Sequence, residues 1–140
     1  MGDRLYTSFD VEKKIVILQG ELKLSTKAAV MRIAFSVSLL DCADPREKYQ
    51  VVYKDLGQDK EYNKITILGK DEDLYFLSLR FLSRKNLTDD EIFPDLVYAH
   101  IVNGVNILYK YKQNKSKGDK DLQLVLVDVA TEGKLDDLLR

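Results

Sequence analysis

The apolar positions at the start of the chain recur at helical spacing. Val11, Ile15, Leu18 and Leu22 fall three or four residues apart with Lys13, Lys14 and Glu21 between them, so one face of a helix is buried and the other solvated. Ser8 and Asp10 stand where a side-chain oxygen accepts from the free amides of a helix start, and Gly20 with Leu22-Lys23-Leu24 closes the pattern. Ser25-Thr26 offers the next cap, ahead of Lys27 to Leu40, a stretch that is apolar on nearly every side. A helix this apolar needs cover from several neighbours or from another subunit, and Ala28, Ala29 and Ala34 permit close approach.

Asp44-Pro45 breaks the helical pattern. Tyr49, Val51 and Tyr53 alternate with Gln50 and Val52, a polar turn follows at Gly57-Gln58-Asp59, and Ile65 and Ile67 alternate within Tyr62 to Leu68. These two runs are compatible with a short β-ribbon ended by Gly69. Asp71-Glu72-Asp73 at the start and Arg80, Arg84 and Lys85 near the end suit the dipole of a third helix, with Leu74, Leu77 and Phe81 as its core face. Thr88-Asp89-Asp90-Glu91 has capping-box spacing, and Pro94 is expected to delay or kink a fourth helix that reaches about Tyr109 or Tyr111. Lys112 to Asp121 reads as a polar linker, Leu122 to Ala130 as a strand rich in Val and Leu, and Lys134 to Arg140 as a short helical or frayed stretch. The expected fold is mainly α, a compact bundle of about four helices with a short β-ribbon and a C-terminal β/α appendage. The division falls between a helical domain at 1–111 and a linker with appendage at 112–140.

Composition narrows the chemistry. The opening residues Met1 to Tyr6 contain no apolar leader segment, no stretch is long and apolar enough to span a bilayer, and Tyr6 stands where an N-myristoylation signal has Ser or Thr. A soluble cytoplasmic protein is expected. The single Cys42 excludes an internal disulfide and, with the single His100, leaves too few ligands for a typical zinc centre. Phosphate-cradling, dinucleotide-binding, zinc-hydrolase and nucleophile-elbow motifs are all absent, so no catalytic residue, cofactor or metal is assigned. The acidic clusters Asp71-Glu72-Asp73 and Asp89-Asp90-Glu91 stand at helix starts, where capping accounts for them. Cys42 with His100 as nucleophile and base is disfavoured, because a thiol at the end of an apolar helix is ordinarily buried and inert.

Net charge is only −1, yet the cations are unevenly placed: residues 1–40 hold six Lys/Arg against four Asp/Glu, and residues 110–120 hold five against one. Lys13, Lys14, Lys23, Lys27 and Arg32 gather around the first two helices and their turn, where cations meet phosphates, and the amides after Ser25-Thr26 add an anion site. Lys110, Lys112, Lys115, Lys117 and Lys120 serve equally as a phosphate-holding arm or as a solubilising linker. His100 and Gly104 lie one helical turn apart on one face, where Gly104 admits another helix and His100 hydrogen-bonds across the contact, within or between subunits.

Residues Ser25 to Leu39, Gly69, the helix from Leu74 to Arg84, and Ala99-His100-Ile101-Val102-Asn103-Gly104-Val105-Asn106-Ile107-Leu108 resemble the DndE family of DNA sulfur-modification proteins over roughly residues 4–110. The resemblance implies a small, helical, oligomeric protein that binds double-stranded DNA, including nicked duplex, beside the other subunits of a phosphorothioation complex. The chain departs from the family in its Lys-rich linker, its tail from Leu122 and its acidic balance. Two other readings stay open. A ribbon-helix-helix regulator uses the order strand, helix, helix, in which Arg4, Tyr6 and Ser8 would read bases. A structural adaptor would instead bind protein partners and leave the lysines incidental.

Overall fold

The computed structural model describes residues 3–51, 53, 57–115 and 120–132. Strand β1 (Arg4–Thr7) leads into α1 (Phe9–Leu22), α2 (Lys27–Asp41) and the short α3 (Pro45–Tyr49). Strand β2 (Lys60–Asn63) runs straight into α4 (Lys64–Leu68), and a turn at Gly69–Asp71 brings the chain to α5 (Glu72–Ser83). The single turn α6 (Asp89–Glu91), a kinked segment at Ile92–Leu96, α7 (Val97–Asn114) and α8 (Leu122–Glu132) complete the mainly helical fold. None of the helices in the described residues is long and apolar enough to cross a membrane.

The caps form as local chemistry dictates. Ser8 Oγ accepts from the Val11 amide at 3.2 Å and Thr26 Oγ1 from the Ala29 amide at 3.1 Å, which starts α1 and α2. Helix α1 ends at Lys23, whose left-handed backbone (φ 56°) turns the Lys23 and Leu24 amides back onto the Gly20 and Gln19 carbonyls. Thr88 and Glu91 close the expected capping box, each side chain accepting from the other's amide at 3.2 and 3.1 Å. Phe93 has extended backbone angles and its bond to Pro94 is cis, so the expected interruption separates α6 from α7.

Helix α7 is the centre of the molecule. It is buried on most sides from Val97 to Leu108, and its most extensive partner is α2, which contributes Val30, Met31, Ala34 and Phe35. Helix α1 covers the pair with Val11, Ile15 and Leu18.

Three elements differ from expectation. The ribbon joins β1 to β2, antiparallel, with Leu5 opposite Tyr62 and Thr7 opposite Lys60. Tyr49 ends helix α3, nucleated by Pro45 and by the Asp44 carboxylate accepting from the Arg46 amide at 2.9 Å; Ile65 and Ile67 lie in α4. On α5 the assigned core face is turned to solvent. Leu74, Leu77 and Phe81 are 63%, 62% and 77% exposed, while Phe76 and Leu79 enter the core. Finally, Leu122 to Glu132 is a helix, not a strand: Leu122, Val125 and Val129 repeat at helical spacing and are buried against the core, and Gln123 Nε2 donates to the Leu22 carbonyl at 2.8 Å. The polar run after Tyr111 begins as the last turn of α7, through Asn114. The readings made for residues 116–119, for Lys134 to Arg140 and for Met1-Gly2 lie outside the described residues.

Candidate functional site

Two polar networks are built into the core around α1 and α7. In the first, Glu12 sits on the buried stripe of α1, beside Val11 and Ile15. Its carboxylate accepts from Lys27 Nζ at 2.8 Å, from Tyr62 Oη at 2.7 and 2.9 Å, and from Thr7 Oγ1 at 2.9 Å. Burial pushes the Glu12 carboxyl up, but the bonds from Lys27, Tyr62 and Thr7 outweigh it and hold the group below its ordinary value. Burial, reinforced by Glu12, pushes the Tyr62 phenol well above its ordinary value. This charged knot ties β1, β2, α1 and α2 together. Its one signal in the sequence is a carboxylate at position 12 on an apolar helical face.

The second network runs from His100 to the surface. His100 is fully buried, and its Nε2–H donates to the Ala43 carbonyl at 3.0 Å. Because that carbonyl can only accept, Nδ1 is unprotonated and accepts from the Ser38 hydroxyl at 2.7 Å. Ser38 Oγ in turn accepts from Asn103 Nδ2 at 2.9 Å, which also donates to Asp41 at 3.1 Å. Asp41 is further held by Lys48 Nζ and Tyr49 Oη, each at 2.7 Å, and these donors keep its carboxyl low against the opposing effect of burial. Burial pushes the His100 imidazole down to about 4 and, with Asp41 beside it, the Cys42 thiol up to about 12. Gly104, one turn beyond His100, lies against α2 so closely that an added methyl group would overlap the Ala34 backbone. The structure therefore brings His100 and Gly104 together on the α2–α7 contact within one chain.

The five cations gathered by sequence separate into two kinds. Lys13 and Lys23 are exposed and make no ion pair among the described residues. Lys14 pairs with Asp10 at 3.0 Å, donates to Asn106 Oδ1 at 3.1 Å and lies 5.3 Å from the centre of the Tyr109 ring. Lys27 is held by Glu12. Arg32 donates to the Thr66 and Ile67 carbonyls at 3.4 and 3.1 Å, closing the end of α4. Lys14 thus faces α7 while Lys27 and Arg32 face the β2–α4 side. Among the described residues no group of three or more His, Cys, Asp or Glu is placed to hold a metal ion.

A helical bundle joined by a short β-ribbon, with a His/Asn-bearing central helix and scattered surface lysines, defines a small, mainly α-helical protein. Its family is given by comparison with known proteins: the model of the DNA sulphur modification protein DndE matches residues 4–116, and the chain belongs to that family. No curated protein and no solved structure matches it.

Proposed function

We propose that this chain is a non-catalytic, DNA-binding accessory subunit of a DNA phosphorothioation system, acting as a homo-oligomer on duplex DNA and preferring nicked duplex. Membership of the DNA sulphur modification family supplies the context. The observation that carries DNA contact is the pair Lys13, exposed on α1, and Lys23, exposed at its C-cap, neither in an ion pair among the described residues, although the Asp121 carboxyl, lowered chiefly by Lys115, is lowered by Lys23 as well. They are spaced by about 15 Å along the helix, a reach spanning several phosphates of a duplex. Arg32, held by two neutral carbonyls, adds positive potential, while Lys14 and Lys27 are neutralised by Asp10 and Glu12. A non-catalytic role is supported by the two candidate reactive groups: the Cys42 thiol is far from ionisation at neutral pH, and both ring nitrogens of His100 are already bonded.

Self-association is supported by α5. Leu74, Leu77 and Phe81 form an exposed stripe at heptad spacing. Acidic Asp71 and Asp73 stand at one end of it and basic Arg84 and Lys85 at the other. A two-fold axis midway between Leu77 and Ser78 sets Leu74 against the partner's Phe81 and Asp71 against the partner's Arg84, so two copies complement each other antiparallel.

The ribbon-helix-helix reading is less favoured, since Arg4 pairs with Glu61 and Ser8 is buried as the cap of α1, which leaves only Tyr6 free to read bases. The test is fluorescence anisotropy with an intact duplex across a salt series. Lys13→Gln with Lys23→Gln is expected to flatten the log–log salt slope by about 2, at roughly 0.9 per phosphate contact. A slope unchanged in the double variant removes α1 from the DNA interface.

A further inference from the structure

Helix α8 begins at Leu122, beyond the stretch matched by the DndE model, which ends at residue 116. It is seated where two other helices end. Leu122, Val125 and Val129 are buried against the bundle, where α8 packs on α1 and α7. Gln123 Nε2 donates to the Leu22 carbonyl at 2.8 Å, and the Tyr111 hydroxyl donates to the Lys120 carbonyl. Both neighbouring helix ends carry a cation, since Lys23 is the C-cap of α1 and Lys115 the C-cap of α7.

The charge that α8 brings to this place is one-sided. Residues 121–132 contain Asp121, Asp128 and Glu132 but neither lysine nor arginine. Asp121 accepts from Lys115 Nζ at 2.9 Å, and Asp128 pairs with Lys120. Lys115 first, and Lys23 as well, hold the Asp121 carboxyl below its ordinary value, and Asp121 in turn raises the Lys115 ammonium. Ion pairs this accessible to water contribute little to stability, so the apolar seat is what holds α8 in place. What the two carboxylates change is the potential around the lysines. Each occupies an ammonium group as a phosphate oxygen would.

We propose that α8 is a built-in counter-charge that limits phosphate binding where α1 and α7 end: Asp121 and Asp128 occupy Lys115 and Lys120 and weaken the field of Lys23, so that a duplex must displace them to use these cations. The proposal takes its ligand from the DNA-binding reading and concerns how tightly that ligand is held. Lys115 and Lys120 then belong to a phosphate-holding arm, restrained by the helix that follows it, and not to a solubilising linker.

The test compares three full-length chains by anisotropy of an intact duplex over a salt series: the native chain, Asp121→Asn with Asp128→Asn, and Asp59→Asn with Asp90→Asn. The last pair removes the same net charge from exposed positions before β2 and on α6. Asparagine keeps the shape of aspartate, and circular dichroism checks that helix content is retained. Releasing Lys115 and Lys120 to one phosphate each should make the α8 variant bind more tightly at low salt and steepen its log–log slope by about 2. Its affinity should then fall about tenfold more than the native chain's between about 50 and 200 mM salt. The second pair should move the slope far less. Native binding with an unchanged slope in the α8 variant, or an equal gain from the second pair, overturns the counter-charge and leaves the DNA-binding reading standing. A steeper slope in the α8 variant beside an unchanged one in Lys13→Gln with Lys23→Gln supports the counter-charge and removes the α1 contact. Binding by none of the chains at low salt overturns both.

Discussion

His100 is stable in the core only as a neutral ring. In the unfolded chain it protonates near 6.5 and in the folded chain only at about 4, so across that window the unfolded state binds the extra proton. Stability is therefore complete above the upper value and falls as the pH drops toward the lower one, by up to about 3 kcal/mol. Glu12 and Asp41 act in the same direction at more acidic pH, because their lowered pKa values stabilise the fold only while they are ionised. Urea midpoints between pH 6.5 and 4 should thus decline for the native chain and decline much less for His100→Gln. A variant slope equal to the native one would assign the dependence to other groups. Gly104 makes a different demand, for space. Gly104→Ala places a methyl group into the Ala34 backbone, and separating α2 from α7 should cost at least about 3 kcal/mol, seen as a lowered thermal midpoint. A midpoint near native would mean that the two helices part easily.

At the scale of elements, α5 carries two apolar stripes, and one copy of the chain buries only the one with Phe76 and Leu79. If Leu74, Leu77 and Phe81 meet a second copy, Leu77→Glu with Phe81→Glu should convert the oligomer to monomer in sedimentation, with helix content retained. A native chain that is already monomeric at high concentration would contradict the pairing. The same helix shows where sequence is readable and where it is not. The extent of α1, α2 and α5 followed from caps and periodicity, and the Thr88 box formed as its spacing requires. Which stripe of α5 turns inward did not follow, since both satisfy helical spacing and only the neighbours decide. Residues Leu122 to Ala130 alternate like a strand and also repeat like a helix; burial of Leu122, Val125 and Val129 against α1 and α7 selects the helix over the β preference of Val. Strand β1 pairs with β2 across more than fifty residues, a contact that no local pattern announces. Among site residues, His100 and Gly104 stood out by type and Glu12 only by its place on an apolar helical face, whereas Ser38 and Asn103 look ordinary in sequence and acquire their roles by being brought into one core.

Considered whole, the molecule carries a net charge of −1, so any affinity for DNA rests on where its cations stand and not on bulk attraction. Several lysines and arginines are consumed internally, in the Glu12 knot, at the end of α4 and in the Asp41 cluster, and these hold the bundle in shape. Lys13 and Lys23, which make no ion pair among the described residues, remain exposed on α1 and at its C-cap, and each copy in the proposed oligomer would carry its own such set. In the proposed oligomer two sets would multiply the affinity of each, and a nick, which lets the duplex bend between them, would be easier to engage than intact DNA. The most direct measurement is the anisotropy of intact and nicked duplexes of identical sequence, titrated with the native chain over a salt series. The account predicts binding to both with a steep negative salt slope and tighter binding to the nicked form. Absence of binding to either duplex at low salt would contradict it.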